Sequence, residues 1–169
     1  SPIVQSSTFH WAKPEHGGLV YSRYGNNPNQ LELGEKIAAL EGTESGIALG
    51  SGMAATAMVF LALTEAGDHI VASSYLYGGT RALLEDELSR RGIETTFVDP
   101  THPEEFAKAV QSNTKILYGE TLGNPDITIF PFDEVSDIST AHNIPIMIDN
   151  TLATPYLCRP LEWGAHIVT

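Results

Sequence analysis

The chain has 169 residues, enough for one domain with a substantial core and too few for two of ordinary size. Nine Lys and Arg stand against 21 Asp and Glu, a net charge of −12, which disfavours nucleic acid or an anionic membrane as a partner because the cations that neutralise phosphate are scarce. Hydrophobic content of 42% with 18% charged residues is globular, and the single cysteine, Cys158, excludes an internal disulfide or a Cys-rich zinc site and suits a reducing compartment.

In chain order, Ser1-Pro2-Ile3-Val4-Gln5 lacks the basic start and apolar run of a secretory leader, so a cytoplasmic location is expected. Residues 1–30 show no core-facing period. Tyr21-Ser22-Arg23-Tyr24-Gly25-Asn26-Asn27-Pro28 is aromatic, polar and turn-rich, which suggests an extended arm that packs on something else, such as another subunit. Leu31, Leu33, Ile37 and Leu40 predict a helix stopped at Gly42. Gly46–Leu49 predicts a short strand and Met53–Glu65 a helix. The uncharged stretch Ser45–Thr64 is long enough to span a membrane, but Gly46, Gly50, Ser51, Gly52 and Thr56 interrupt it; it is better explained as a buried strand, a turn and a buried helix. Then follow a strand at His69–Ser73, a helix at Thr80–Arg91 stopped by Gly92 and a strand at Ile93–Val98. A helix at Pro103–Gln111 leads to a strand at Lys115–Gly119. A helix at Phe132–His142, a strand at Ile144–Ile148 and a last strand at His166–Thr169 complete the pattern. Apolar strands alternating with helices predict an α/β fold, a mostly parallel sheet with helices on both faces, whose ligand sits beyond the strands' carboxyl ends.

Several residues at those ends carry possible chemistry. Gly50-Ser51-Gly52-Met53 lies between a strand and a helix, where glycines and helix-start amides suit a phosphate; a tight turn without ligand explains it equally well. The same stretch spells G-x-G-x-x-A, but the next strand ends in Ser73-Ser74 and not in an acid, which argues against a dinucleotide. Asp149 ends the apolar strand Pro145-Ile146-Met147-Ile148. A protonated ring nitrogen would partner such a carboxylate, and so would the backbone of the next turn. Asn124 is placed to donate to a phenolate oxygen or to form an ordinary Asn-Pro turn. Tyr77 either stacks on a planar ligand or packs at a helix start. Tyr21 and Arg23 suit a phosphate clamp or plain surface. His10, His16, His69, His102, His142 and His166 show no ligand spacing, so no metal is expected. Met53 breaks the G-x-S-x-G elbow around Ser51, which disfavours a serine hydrolase.

Tyr21-Ser22-Arg23, Ser51-Gly52-Met53, Leu76-Tyr77-Gly78-Gly79, Glu120-x-x-x-Asn124-Pro125 and Asp149-Asn150-Thr151, in this order, resemble the pyridoxal-phosphate-dependent Cys/Met metabolism enzymes over essentially the whole chain. The resemblance implies a fold type I pyridoxal-phosphate-dependent transferase architecture. It assigns pyridoxal 5′-phosphate as cofactor, with Ser51, Gly52 and Met53 at its phosphate, Tyr77 stacked on its ring and Asp149 on its ring nitrogen. Asn124 falls on the phenolate oxygen and Thr151 beside the ring. Tyr21 and Arg23 reach the phosphate of a neighbouring subunit, which implies a homo-oligomer, at least a dimer, with a tetramer expected. Tyr21, Tyr77 and Asp149 are the residues it ties most closely to the chemistry. The family's cofactor-bearing lysine sits in a Ser-x-Thr-Lys motif that has no counterpart among Lys13, Lys36, Lys108 and Lys115. The resemblance therefore implies a fragment: residues 1–30 as arm, residues 31–169 as part of the large cofactor domain, and no C-terminal substrate domain.

By resemblance, Gly79 stands where methionine γ-lyases carry Cys, and Gly123 where γ-synthases and cystathionine γ-lyases carry Ser. Those two, with Leu157-Cys158-Arg159-Pro160, favour an O-acylhomoserine sulfhydrylase, although the segment His16-Gly17-Gly18-Leu19-Val20 is shorter than sulfhydrylases often have. The expected reaction is γ-replacement on an amino acid substrate, an O-acylhomoserine, by sulfide or a thiol. The alternatives are a γ-eliminating carbon–sulfur lyase and an inactive cofactor-binding module.

Overall fold

The computed structural model describes residues 2–10 and 20–169; Lys13, His16 and the Gly17–Leu19 stretch lie outside the described residues. The chain forms two compact units, Ser1–Gly50 and Ser51–Thr169.

In the first unit, helix α1 runs Pro28–Glu41. Asn27 closes it in a capping box, its side chain accepting from the Asn29 amide while Gln30 Oε1 accepts from the Asn27 amide; proline takes the first position and Gly42 ends the helix at φ 77°. The predicted helix is therefore present, but its apolar residues face outward. Leu31, Leu33, Ile37 and Leu40 are exposed, and Gly34, Ala38 and Glu41 form the buried side. The opening segment is not featureless. Thr8 bridges Tyr21 antiparallel, the Ser22 amide donates to Ser7 O, and Ser22–Tyr24 makes one 3-10 turn.

The strand expected at Gly46–Leu49 is absent: these residues are irregular and Ile47 is 84% exposed. Gly46 serves another purpose. A Cβ at Gly34 would strike the Gly46 carbonyl, and one at Gly46 the Gly34 carbonyl, so two glycines let the backbones touch.

In the second unit, helix α2 (Gly52–Leu63) precedes β1 (His69–Ser73). Helix α3 opens at Gly78–Ala82, widens to a π-helical turn at Leu83–Leu88 and tightens to 3-10 geometry at Ser89–Arg91 before Gly92, so the single helix expected there is a composite. After it come β2 (Glu94–Val98), α4 (Glu104–Ala109), β3 (Thr114–Glu120), α5 (Phe132–His142), β4 (Ile146–Asp149), α6 (Thr154–Leu157) and β5 (Ile167–Val168). The five strands are all parallel in the order β2-β1-β3-β4-β5.

Strand alternation sends side chains into two cores. Val71, Leu117, Ile146 and Ile148 meet Phe106 of α4 and Phe132 and Val135 of α5 on one face. Ile70, Ala72, Ile116, Tyr118 and Met147 meet Phe60 of α2 and Leu84 and Leu88 of α3 on the other. Helices thus cover both faces, as expected. The helix predicted to be buried, α2, is apolar all round, yet only Thr56 and Phe60 are fully buried; Met58, Leu61 and Leu63 are exposed.

Candidate active site

The strand order places a topological switch point between β1 and β3. The chain leaves β1 toward one edge of the sheet and leaves β3 toward the other, so the loops after these strands diverge around a crevice. The two loops are tied together beside it. The Asn124 amide donates to Tyr75 O at 3.3 Å, and the Tyr77 amide donates to Glu120 Oε1 at 2.6 Å.

Helix α2 begins nearby. Ser51 Oγ accepts from the Ala54 amide at 3.1 Å and Ser51 O from the Ala55 amide, which leaves the Gly52 and Met53 amides ahead of the first intrahelical bond. The start of α3 touches this end of α2: Thr80 Oγ1 lies 3.8 Å from Met53 Sδ. Tyr77 caps α3 and is 53% exposed. Its ring lies over Gly79, where an added Cβ would come within 2.5 Å of Tyr77 Cε1 and 3.3 Å of Met53 Sδ.

Asp149 and Glu120 are register partners at the ends of β4 and β3, so two carboxyl groups stand side by side on one sheet face. Asp149 Oδ1 accepts from the Thr151 amide at 2.9 Å. Glu120 is buried, 7% exposed. Burial is the main cause that raises its pKa to about 7; the Tyr77 amide opposes the rise and the Asp149 charge adds to it. Among the described residues no ion pair reaches either group. Arg81 pairs with Glu85 and stacks on Phe97, Lys108 pairs with Glu104 on α4, and Lys115 lies near the start of β3, at the opposite end of the strand, beside Asp68.

The second unit therefore gathers Ser51, Gly52, Met53, Tyr77, Asn124, Asp149 and Thr151 at one end of the sheet and its flanking helices. Tyr21 and Arg23 belong to the first unit, where the Arg23 guanidinium lies 5.9 Å from the Tyr21 ring centre. Glu120 and Asn150 received no role from the sequence. Glu120 ends an apolar strand as Asp149 does, and that was its available signal. Asn150 joins three elements: its amide donates to Thr169 O, its side chain accepts from Thr121 Oγ1 at 2.7 Å, and its Nδ2 donates to Cys158 O at 2.9 Å. A separate cavity of about 490 Å³, lined mainly by Leu122, Ile129, Phe130, Phe132, Leu157 and Trp163, contains none of the predicted site residues. No helix among the described residues is long and apolar enough to cross a membrane.

The residues present fit pyridoxal 5′-phosphate. Free helix-start amides suit a phosphate, an exposed aromatic ring suits a planar ring, and paired carboxyl groups without a protein cation suit a protonated nitrogen. A doubly covered parallel sheet with its crevice at the switch point defines an α/β ligand-binding domain. The chain belongs to the Cys/Met metabolism PLP-dependent enzyme family, whose profile matches residues 1–169.

It is 44% identical to an L-methionine gamma-lyase of Porphyromonas gingivalis, over 99% of this chain and 44% of that protein. It is equally 44% identical to an O-acetyl-L-homoserine sulfhydrylase of Corynebacterium glutamicum, over 99% of this chain and 40% of that protein. A cystathionine gamma-lyase of Lactobacillus plantarum, solved with L-serine, superposes with a TM-score of 0.93 at 36% identity, covering 99% of this chain and 43% of that one. A Campylobacter jejuni structure containing N′-pyridoxyl-lysine-5′-monophosphate matches with a TM-score of 0.93 at 32% identity, covering 99% of this chain and 43% of that one. The fold is that of the pyridoxal-phosphate-dependent enzymes, and the chain spans less than half the length of the relatives it matches.

Proposed function

We propose that this chain is the cofactor-binding part of a pyridoxal-phosphate-dependent enzyme that performs γ-replacement on an O-acylhomoserine, with sulfide or a thiol as the incoming group. The observation that supports the cofactor is the switch-point site: helix-start amides, an exposed tyrosine and a pair of carboxyl groups that no described cation neutralises; the choice of γ-replacement rests on Gly79 and Gly123. Bound there, pyridoxal 5′-phosphate supplies a ring that accepts electrons when the substrate's Cα proton leaves.

The chain's own residues do the rest. Gly52 and Met53 donate backbone N–H groups to the phosphate, with Ser51 fixing the helix start. Asp149 holds a proton on the ring nitrogen and is itself oriented by the Thr151 amide. Tyr77 stacks on the ring, Asn124 donates its side-chain amide to the phenolate oxygen, and Thr151 stands beside the ring. In this reading Tyr21 and Arg23, on an arm formed by residues 1–30, reach the phosphate of a neighbouring subunit. Residues 31–169 belong to the large domain. The outward apolar faces of α1 and α2 support assembly of at least a dimer, with a tetramer the proposed state and the cytoplasm the proposed location.

A second reading has support of its own, because the methionine gamma-lyase relative is as similar as the sulfhydrylase. Assaying the full-length gene product with O-acetylhomoserine plus sulfide, against methionine or cystathionine alone, separates the two. Homocysteine formation that depends on sulfide is expected. Dominant release of 2-oxobutanoate without sulfide replaces γ-replacement by γ-elimination. Reversible uptake of pyridoxal 5′-phosphate with no turnover in either assay leaves an inactive cofactor-binding module as the better account.

A further inference from the structure

Among the described residues, Glu120 is the one buried carboxyl group at the carboxyl end of the sheet whose hydrogen bond reaches another site residue. Its Oε1 accepts from the Tyr77 amide at 2.6 Å across the switch point, from the end of β3 to the loop after β1. The side chain itself is buried, so the bond is shielded from competing water. Tyr77 has little else to fix it. Its side chain makes no capping bond to α3, its ring is half exposed, and Gly79 beneath offers no side chain to lean on. The backbone of Tyr77 also starts α3, since its carbonyl accepts from the Arg81 amide at 3.0 Å. One carboxyl group thus sets the point from which both the ring and the helix start.

Register puts the same carboxyl next to Asp149, so the strand ends that carry Asp149 and hold Tyr77 are neighbours in one ladder. We propose that Glu120 is the positioning residue of the cofactor site: its side-chain oxygen holds the Tyr77 amide and thereby fixes the Tyr77 ring relative to the β3–β4 strand ends. This rests on the reading of the site given above. Glu120 does not touch the cofactor in this scheme; it acts through Tyr77. What matters is an acceptor oxygen at that distance, which a carboxylate, a neutral carboxyl group or an amide supplies equally.

The test uses the full-length protein with three variants. Glu120→Gln keeps the acceptor and removes the titrating group, Glu120→Asp keeps the titrating group but withdraws the oxygen by one methylene, and Glu120→Ala removes both. In the cofactor-free protein, hydrogen exchange at the Tyr77 amide should quicken at least tenfold in the Asp and Ala variants and stay within threefold of wild type in Gln. Titration with pyridoxal 5′-phosphate, followed by its absorbance and induced circular dichroism, should show about tenfold weaker binding for Asp and Ala and rescue by Gln. In a Tyr77→Ala background, Glu120→Asp should change affinity less than twofold, because the ring it positions is gone.

Gln behaving like Ala, or additive losses with Tyr77→Ala, would overturn the proposal. So would wild-type affinity in a Glu120→Asp protein whose Tyr77 amide has lost protection. If wild type binds no cofactor, the site reading fails first and the proposal falls with it. If wild type binds and the variants match it, only the proposal falls. Should Glu120→Ala not fold, the Asp and Gln pair decides alone.

Discussion

The raised pKa of Glu120 makes stability depend on pH in a direction opposite to most carboxylates, and Glu120→Gln isolates it. In the folded protein the group holds its proton up to about pH 7, while its ordinary value is 4.5. Between those values the folded state binds more protons than the unfolded one, so stability falls as pH rises through the window and levels off above it. At about 1.4 kcal/mol per pH unit the full displacement is worth about 3 kcal/mol. Between about pH 5 and about pH 8 only part of that displacement is sampled, which leaves roughly 2 kcal/mol. Gln has the same shape and can accept from the Tyr77 amide, but it does not titrate. Urea unfolding of full-length wild type and variant without cofactor, at about pH 5 and about pH 8 and constant salt, cancels the titration common to both. Wild type should lose about 2 kcal/mol relative to Gln between the two conditions. Parallel pH dependence in the two proteins, or a wild type that gains on the variant as pH rises, would refute the assignment of a buried, proton-retaining carboxyl.

Asp149→Asn should leave unfolding unchanged within about 0.5 kcal/mol, yet cut turnover of the full-length enzyme by about a hundredfold, the scale of a misplaced proton; a near-normal rate removes Asp149 from the chemistry. Gly79→Ala should push the Tyr77 ring aside, since the new Cβ would meet Cε1 at 2.5 Å. Cofactor affinity should drop about three- to tenfold, as for a lost ring contact, in a titration followed by absorbance. Gly119→Ala should destabilise by about 1–3 kcal/mol, because its methyl would strike the Phe130 ring, which Phe106 and Phe132 hold at 5.8 and 5.2 Å; an unchanged unfolding midpoint would show that the aromatic cluster yields.

The strands were legible because a parallel sheet buries both faces, and Val71, Leu117 and Ile148 on one side answer Ile70, Ile116 and Met147 on the other. The same logic misled at Gly46–Leu49. Four apolar or small residues match a buried strand, but no strand among the described residues takes them up, and Gly46 is small because Gly34 lies against it. In α1 the period was correct and the face was not. Apolar spacing shows that a helix has a greasy side; it does not show that this side meets the chain's own core. The π turn of α3 left no mark, since Leu84 and Leu88 stay buried whether or not one residue is inserted in the hydrogen-bond ladder. Asp149 drew attention as a charge ending an apolar strand. Glu120 meets the same description, but its partner is a backbone amide 43 residues away, and only the pairing of β1 with β3 brings that amide within reach.

That pairing also makes the site's charge balance a property of strand register. Glu120 and Asp149 end neighbouring strands, and Arg81 and Lys115 of the second unit pair with Glu85 and Asp68 instead. A positive group brought to Asp149 by a ligand therefore acts on Glu120 as well. It offsets the charge that helps to raise the Glu120 pKa, so binding should drive a proton off Glu120 near neutral pH. By linkage, cofactor affinity should rise with pH through about 7, and more steeply in wild type than in Glu120→Gln. Binding heats measured in two buffers of different ionisation enthalpy count the protons released, and the cofactor's own titration cancels between the two proteins. Equal proton release from wild type and Gln would mean that the paired strand ends do not share their charge, and Glu120 would then serve Tyr77 alone.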